Sequence, residues 1–196
     1  MNKTIIFGIL AVLIIIYGCT SPEDAAFKKG AKRISEIDEQ FGATVKTTPD
    51  SEKNVDELII QLVGFGAANE DMPKALDYFL NFRIKTLEAE KLHIEGWQWG
   101  RASTIDWGFG CKKGAVKKLN SSRMRNSSAY KGYEAIETLQ LFVDEFPDKA
   151  KSVNLTQKDV LFLNAAYQQV EDKAARDARV IRSACKEQIK ELNITI

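Results

Sequence analysis

The single histidine is the first residue of this sequence that suggests chemistry. His93 follows Glu90 by three residues, and this spacing puts a carboxylate and an imidazole on one helix face, as in di-iron bundles. A complete di-iron site needs two such motifs and two further glutamates, so a symmetric dimer would have to supply the second motif. We therefore expect an ordinary surface histidine, with no metal and no cofactor.

Other catalytic patterns are missing from the sequence. It contains no paired Cys-x-x-Cys, no haem attachment sequence, no glycine-rich phosphate loop and no serine nucleophile elbow. Gly64 and Gly66 lack the third glycine of a dinucleotide-binding loop. Acidic pairs such as Glu88 and Glu90 need no catalytic explanation in a chain with 28% charged residues. We expect that the protein is not an enzyme.

Residues 96–110 combine aromatic rings with glycines. This segment holds all three tryptophans of the chain, Trp97, Trp99 and Trp107, together with four glycines. Flat rings beside glycines can form a binding surface for sugars or peptides, because they supply contact area at little cost in entropy. Glycines equally allow helices to approach closely, and the rings then fill the gaps between them. The sequence leaves both interpretations open, and the first would make this segment the pocket wall of a ligand-binding protein.

The N-terminal residues predict export. Lys3 precedes an apolar run from Ile5 to Gly18. As a helix this run would reach only about 21 Å, which is shorter than the roughly 30 Å hydrocarbon core of a bilayer. A short apolar run behind a positive charge is typical of a signal peptide, so we assign residues 1–18 to one.

The apolar run ends in Ile16, Gly18 and Cys19. This ending resembles the lipobox of prokaryotic lipoproteins, in which an aliphatic residue lies three before the cysteine, a small residue precedes it and the cysteine receives lipid. Tyr17 is bulkier than the family's usual residue at its position. The resemblance implies that residues 19–196 form a single mature domain, anchored through Cys19 to the extracytoplasmic face of the cell membrane. The alternatives are retention of the N-terminal segment as an uncleaved anchor and secretion as a soluble protein.

With Cys19 assigned to the anchor, Cys111 and Cys185 remain. Outside the cytoplasm an even pair of cysteines favours a disulfide. A bridge that closes a loop of about 75 residues stabilises a protein by roughly 4 kcal/mol in the chain-entropy model. Two buried thiols are the alternative. Because both segments should face the core, we predict the bridge.

Four asparagines occur in glycosylation sequons. They are Asn120, Asn126, Asn154 and Asn193, each followed two residues later by serine or threonine. If the source organism glycosylates exported proteins, as many archaea do, these positions lie on the surface.

Charge is balanced overall and uneven locally. The net charge of +1 does not suggest a nucleic-acid partner. Residues 107–133 contain no acidic residue but seven lysines and arginines. This stretch is either a solvated helix face or a surface for anionic lipid headgroups or an acidic partner.

Apolar residues recur at helical spacing through most of the mature chain, and no segment has the alternation of a strand. The first stripe contains Phe27, Ala31, Ile34, Ile37 and Phe41. Other stripes are expected within residues 51–63, 73–94, 130–146 and 160–192. These patterns predict an all-α protein, either a bundle or a short irregular array of five to six helices.

Residues 132–147 resemble the second helix of a tetratricopeptide repeat. In that family an alanine lets two helices approach, large residues follow on the same face and a proline ends the unit. Ala135, Leu139, Phe142 and Pro147 match these roles. The resemblance implies a non-catalytic scaffold that binds another protein or peptide, whose identity the sequence does not contain.

Overall fold

Every regular element in the described part of the chain is helical. The structure is a computed structural model that describes residues 21–42, 51–106 and 111–191. Seven helices and no strand are present in these ranges, which confirms the all-α fold class. No helix in the same ranges is both long and apolar enough to cross a bilayer. The helices are α1 (Pro22–Gly42), α2 (Ser51–Ala67), α3 (Lys74–Asp106), α4 (Cys111–Glu145), α5 (Pro147–Ser152), α6 (Gln157–Ala184) and α7 (Lys186–Glu191).

The five long helices form an array in which successive members pack antiparallel. Helices α3 and α4 make the longest pairing, and hydrogen bonds join Lys74 to Glu145 at one end and Ser121 to Gly96 near the other. Helix α6 packs on α4, α2 packs on α3, and α1 packs on both α2 and α3. Helix α4 is therefore central, with α3 on one side and α6 beside it.

The main hydrophobic core joins α1, α2, α3 and α4. The ring of Phe142 lies 6.1 Å from that of Phe27 and 6.0 Å from that of Phe79, measured between centroids. Ala31, Ile34 and Ile37 of the first stripe are buried as predicted, whereas the side chain of Phe41 lies outside the described residues. Burial of such a stripe, more than intrinsic propensity, stabilises a helix in a protein.

A second region of the α3–α4 pairing is built from small residues. The Ser121 hydroxyl donates a 2.5 Å hydrogen bond to the carbonyl oxygen of Gly96, and the Ser128 hydroxyl donates a 2.7 Å bond to that of Ala89. A Cβ on Gly96 would lie only 2.9 Å from Arg125 Cγ. The close approach of the two backbones therefore depends on a residue without a side chain.

The predicted disulfide is present at the end of α4 and α6. Cys111 is bonded to Cys185, and their α-carbons are 5.6 Å apart, within the range that an unstrained bridge needs. Ala115, Ile181 and Ile189 are buried around Cys185 in a small hydrophobic cluster, separate from the main core. The bridge thus fastens α4 to the junction of α6 and α7.

Three helices differ in length from the sequence prediction. Helix α4 begins at Cys111, well before Tyr130, because serines and glycines rather than an apolar stripe mediate its contact with α3. The predicted final helix is divided, because Cys185 has a non-helical backbone (φ −121°, ψ 28°) between α6 and α7. The segment 96–106 belongs to α3 and does not form an element of its own.

Candidate functional site

The side of α4 that faces away from α3 is open, and α6 lies beside it. Arg123, Tyr130 and Leu141 of α4 are seven and eleven residues apart, which places them on one face. Leu161 and Arg179 of α6 are five helical turns apart and also share a face. All five side chains are exposed. We call the surface formed by these residues the α4–α6 outer face.

Antiparallel packing gives the α4–α6 outer face two different ends. The side chains of Gln140 and Gln157 bond each other, so Leu141 and Leu161 lie at the same end. Arg125 pairs with Asp177 at 3.4 Å, so Arg123 and Arg179 lie together at the other. One end is therefore apolar and the other is basic.

A groove occupies the basic end. Its volume is about 860 Å³, which is within the range of about 300–1,000 Å³ for ligand pockets. Alanines at three positions of α6 leave this space unfilled where the two helices meet. The lining residues are Leu119, Asn120, Ser122, Arg123 and Asn126 of α4, and Ala174, Ala175, Ala178, Arg179 and Arg182 of α6.

The polar groups of the groove are not satisfied within the described chain. Arg123, Arg179 and Arg182 are exposed, and none of them pairs with a carboxylate of the described residues. Ser122 is only 5% exposed, and its hydroxyl has no hydrogen-bond partner in the same ranges. A buried polar group without a partner costs about 1–3 kcal/mol. The groove therefore presents three guanidinium groups that are available to a ligand.

The apolar end exposes large side chains. Leu161 is 63% exposed and the adjacent Phe162 is 72% exposed, although Val160 beside them is buried in the core. Leu141 of α4 is also exposed, whereas the exposed Tyr130 lies about 17 Å away along α4, between this end and the groove. The first turns of α6 thus carry apolar residues on both the inner and the outer side.

The tryptophans do not form one wall. Trp97 is half-buried, with the Arg101 guanidinium 5.5 Å from its ring centroid, whereas Trp99 is 39% exposed. Their separation of two residues turns them to different sides of α3. Neither lines the groove, and Trp107 lies outside the described residues.

His93 is half-buried, because α4 and α6 pack close to it, and part of its surface remains exposed. Burial, the Arg125 guanidinium and the Lys173 ammonium lower the pKa of His93. Burial raises the pKa of the neighbouring Glu90 carboxyl. Two cations near the imidazole oppose metal binding, and no group of three or more metal-ligating side chains occurs in the described ranges.

The sequon asparagines have unlike environments. Asn120 and Asn126 are half-buried in α4 beside the groove. Asn154 is exposed in the loop between α5 and α6, where it has a positive φ of 58°. Asn193 and the anchor residue Cys19 lie outside the described residues. Asn154 is therefore the described sequon with the most accessible side chain.

The basic stretch of the sequence is divided among several contacts. Lys131 pairs with Glu88 and Glu134, and Arg125 pairs with Asp177. Arg123 alone among these residues joins the groove, where α6 contributes two further arginines. The sequence did not predict the contribution of Arg179 and Arg182, because they are distant in the chain from Arg123. The only pattern that could have indicated a groove here is the group of alanines beside them in α6.

Comparison of the chain with protein-family models, with curated proteins and with solved structures finds no match. Ala135, Leu139 and Phe142, which match the tetratricopeptide pattern, are buried in the core. However, α3 has 33 residues and α4 has 35, so each is about as long as a whole repeat of about 34 residues. The function must therefore be inferred from the residues of this chain.

Proposed function

We propose that this protein is a non-catalytic binding protein tethered to the extracytoplasmic face of the cell membrane, and that it holds another protein or peptide on the α4–α6 outer face. The observation that carries this proposal is the exposure of Leu161 of α6 and Leu141 of α4 at the apolar end. Contiguous exposed apolar groups with a polar surround are typical of protein interaction sites. Tyr130 of α4, between this end and the groove, is exposed on the same face.

The start of α1 supports a short tether. The Ser21 hydroxyl accepts a 3.0 Å hydrogen bond from the backbone N–H of Asp24, which caps a helix that begins at Pro22. Only a few residues separate this cap from Cys19. An anchor at Cys19 would therefore hold the helical array close to the membrane surface.

The tether is tested by changing Cys19 to alanine in cells of the source organism. We expect the Cys19→Ala variant to leave the membrane fraction or to retain its uncleaved signal segment, and to lose the lipid mass seen on the wild-type protein. Wild-type protein without an added lipid mass would contradict the lipoprotein assignment.

Partner binding is tested with a photo-crosslinking amino acid in the full-length protein in its own membrane. We expect a discrete cross-linked product from position 161 and none from position 61, because Gln61 is exposed on the distant helix α2. A Leu141→Ser change should weaken the product with little loss of thermal stability, since this side chain of the same face is 48% exposed. Equal products from both positions, or none from position 161, would contradict binding at this face.

A further inference from the structure

We infer that the groove between α4 and α6 binds a short acidic peptide segment, with an apolar side chain between two carboxylates. This inference rests on the proposed function and specifies the ligand that the basic end of the α4–α6 outer face accepts. The groove has three features that together define such a ligand.

The first feature is convergent positive charge. Arg179 and Arg182 are three residues apart and therefore neighbours on α6, and Arg123 lies opposite them on α4. No carboxylate of the described chain neutralises these groups. The nearest described acid on α6, Asp177, is already paired with Arg125. A guanidinium binds a carboxylate through two parallel hydrogen bonds, so the groove is complementary to a ligand with more than one carboxylate.

The second feature is an apolar floor. Ala174 and Ala178 of α6 and Leu119 of α4 line the groove between the arginines. A peptide can place an aliphatic side chain on these alanines while its carboxylates meet the arginines. An inorganic anion would leave the apolar floor uncovered.

The third feature is size. The lining extends from Leu119 to Asn126 and from Ala174 to Arg182, or about 12 Å along the helices. Three to four residues of extended chain cover this length at about 3.3 Å each. A volume of about 860 Å³ also exceeds what a single small anion fills. A tripeptide or tetrapeptide segment therefore fits the groove.

The position of the groove favours a peptide over a lipid headgroup. The N-terminal end of α1 packs near the C-terminal end of α4, where Phe27 meets Phe142. Asn126 is about 24 Å from Phe142 along α4 at the helical rise of about 1.5 Å per residue. An anchor attached ahead of α1 thus lies far from the groove.

The test uses the full-length protein in nanodiscs of neutral lipid and a display library of random heptapeptides. We expect enriched peptides to contain an apolar residue between two acidic residues. A fluorescent copy of the most enriched peptide then reports Kd by anisotropy. Arg179→Ala and Arg182→Ala should each raise Kd about tenfold or more, as expected for loss of a charged hydrogen bond.

Two matched controls separate the groove from general charge. Arg176→Ala removes an exposed cation of α6 that does not line the groove, and it should leave Kd unchanged. Ala175→Leu fills the groove and keeps the charge, and it should weaken binding, whereas Ala165→Leu elsewhere on α6 should not. Circular dichroism of each variant confirms that the fold is retained.

Several outcomes would overturn the inference. These are an enriched set of neutral or basic peptides, no enriched peptide, or a Kd that the groove variants do not change. Binding of vesicles with anionic lipid headgroups that depends on Arg179 and Arg182, without peptide binding, would assign the groove to the membrane. In each case a cross-linked product from position 161 leaves the proposed function intact, so the two failures can be told apart.

Discussion

The two halves of helix α4 pack in opposite ways. In the C-terminal half, Leu139 and Phe142 are fully buried among aromatic and aliphatic side chains. In the N-terminal half, the buried residues include Ser121, Ser122 and Ser128, which contact backbone or line a groove. Large apolar side chains fill space and stabilise the fold, whereas small residues bring backbones together and leave gaps beside them. The half of α4 that carries the groove is therefore the half with less apolar burial.

The disulfide lies in the half that lacks large core residues. Cys111 and Cys185 join α4 to α6 next to a cluster much smaller than the main core. A covalent link stabilises a domain when hydrophobic burial alone is insufficient. The C-terminal half relies on packing and the N-terminal half relies on the link. The following changes test that difference.

The largest effect should come from the aromatic core. Phe142→Ala removes a ring with no exposure to solvent that contacts Phe27 and Phe79. Loss of such a ring lowers the free energy of unfolding by about 3–5 kcal/mol. Leu141→Ala is the control, because the adjacent side chain is 48% exposed. Urea denaturation of both variants measures the contrast, and equal losses would contradict the packing described here.

Removal of the disulfide should come next. Cys111→Ser together with Cys185→Ser should lower the free energy of unfolding by about 2–4 kcal/mol, since the bridge closes a long loop. The groove lies close to the bridge, so hydrogen exchange should rise in residues 111–126 more than in residues 135–145. A uniform rise along α4 would show that its two halves are not stabilised separately.

A matched pair of glycines tests the close approach of α3 and α4. A Cβ at Gly96 would meet Arg125 Cγ at 2.9 Å and the Ser121 carbonyl oxygen at 3.1 Å, whereas one at Gly64 would meet nothing within 4 Å. Gly96→Ala should therefore destabilise by about 1–3 kcal/mol through overpacking. Gly64→Ala should stabilise by about 0.5–1 kcal/mol through helix propensity. Thermal unfolding of both variants shows whether each change stabilises or destabilises the protein. A stabilised Gly96→Ala variant would contradict the close approach of α3 and α4 at this residue.

The same contrast explains what the sequence could predict. The stripe through Phe27, Ile34 and Ile37 predicted α1 because apolar burial has a period, and these residues are buried. The sequence pattern also placed Cys111 and Cys185 toward the core, and their bridge is present. Where the buried side chains are apolar, their helical spacing in the sequence predicts which residues lie in the core.

The N-terminal half of α4 and the groove could not be predicted in the same way. Ser121 and Ser128 meet α3 through backbone carbonyls, and hydroxyl groups leave no hydrophobic period. The groove requires Arg123 to lie opposite Arg179, a proximity that only antiparallel packing of α4 and α6 creates. The half of α4 that we propose binds a peptide is thus the half whose packing is hardest to predict from the sequence.

The smallest effect should be a pH dependence at His93, in the region of small-residue packing. Burial, Arg125 and Lys173 lower its pKa below the ordinary value of 6.5, so the unfolded chain takes up a proton at higher pH than the folded protein. The stability that neutral His93 contributes is therefore present above about pH 6.5. It is lost as the pH falls through 6.5 towards the folded pKa.

The raised pKa of Glu90 makes the folded protein more stable as the pH falls, which opposes the effect of His93. The contribution of His93 is therefore measured as a difference between the wild-type protein and a variant without the imidazole. The free energy of unfolding of the wild-type protein, minus that of His93→Gln, should decrease between pH 7.5 and pH 5. Glu90→Gln serves as the matched control and should leave that decrease in place. Chemical denaturation at a series of pH values measures this difference in the free energy of unfolding. A difference that does not change with pH would mean that α6 does not cover the imidazole. Because the effect arises from two cations and burial at the junction of three helices, its presence would show that α4 and α6 close around His93 in the half of the molecule with less apolar burial.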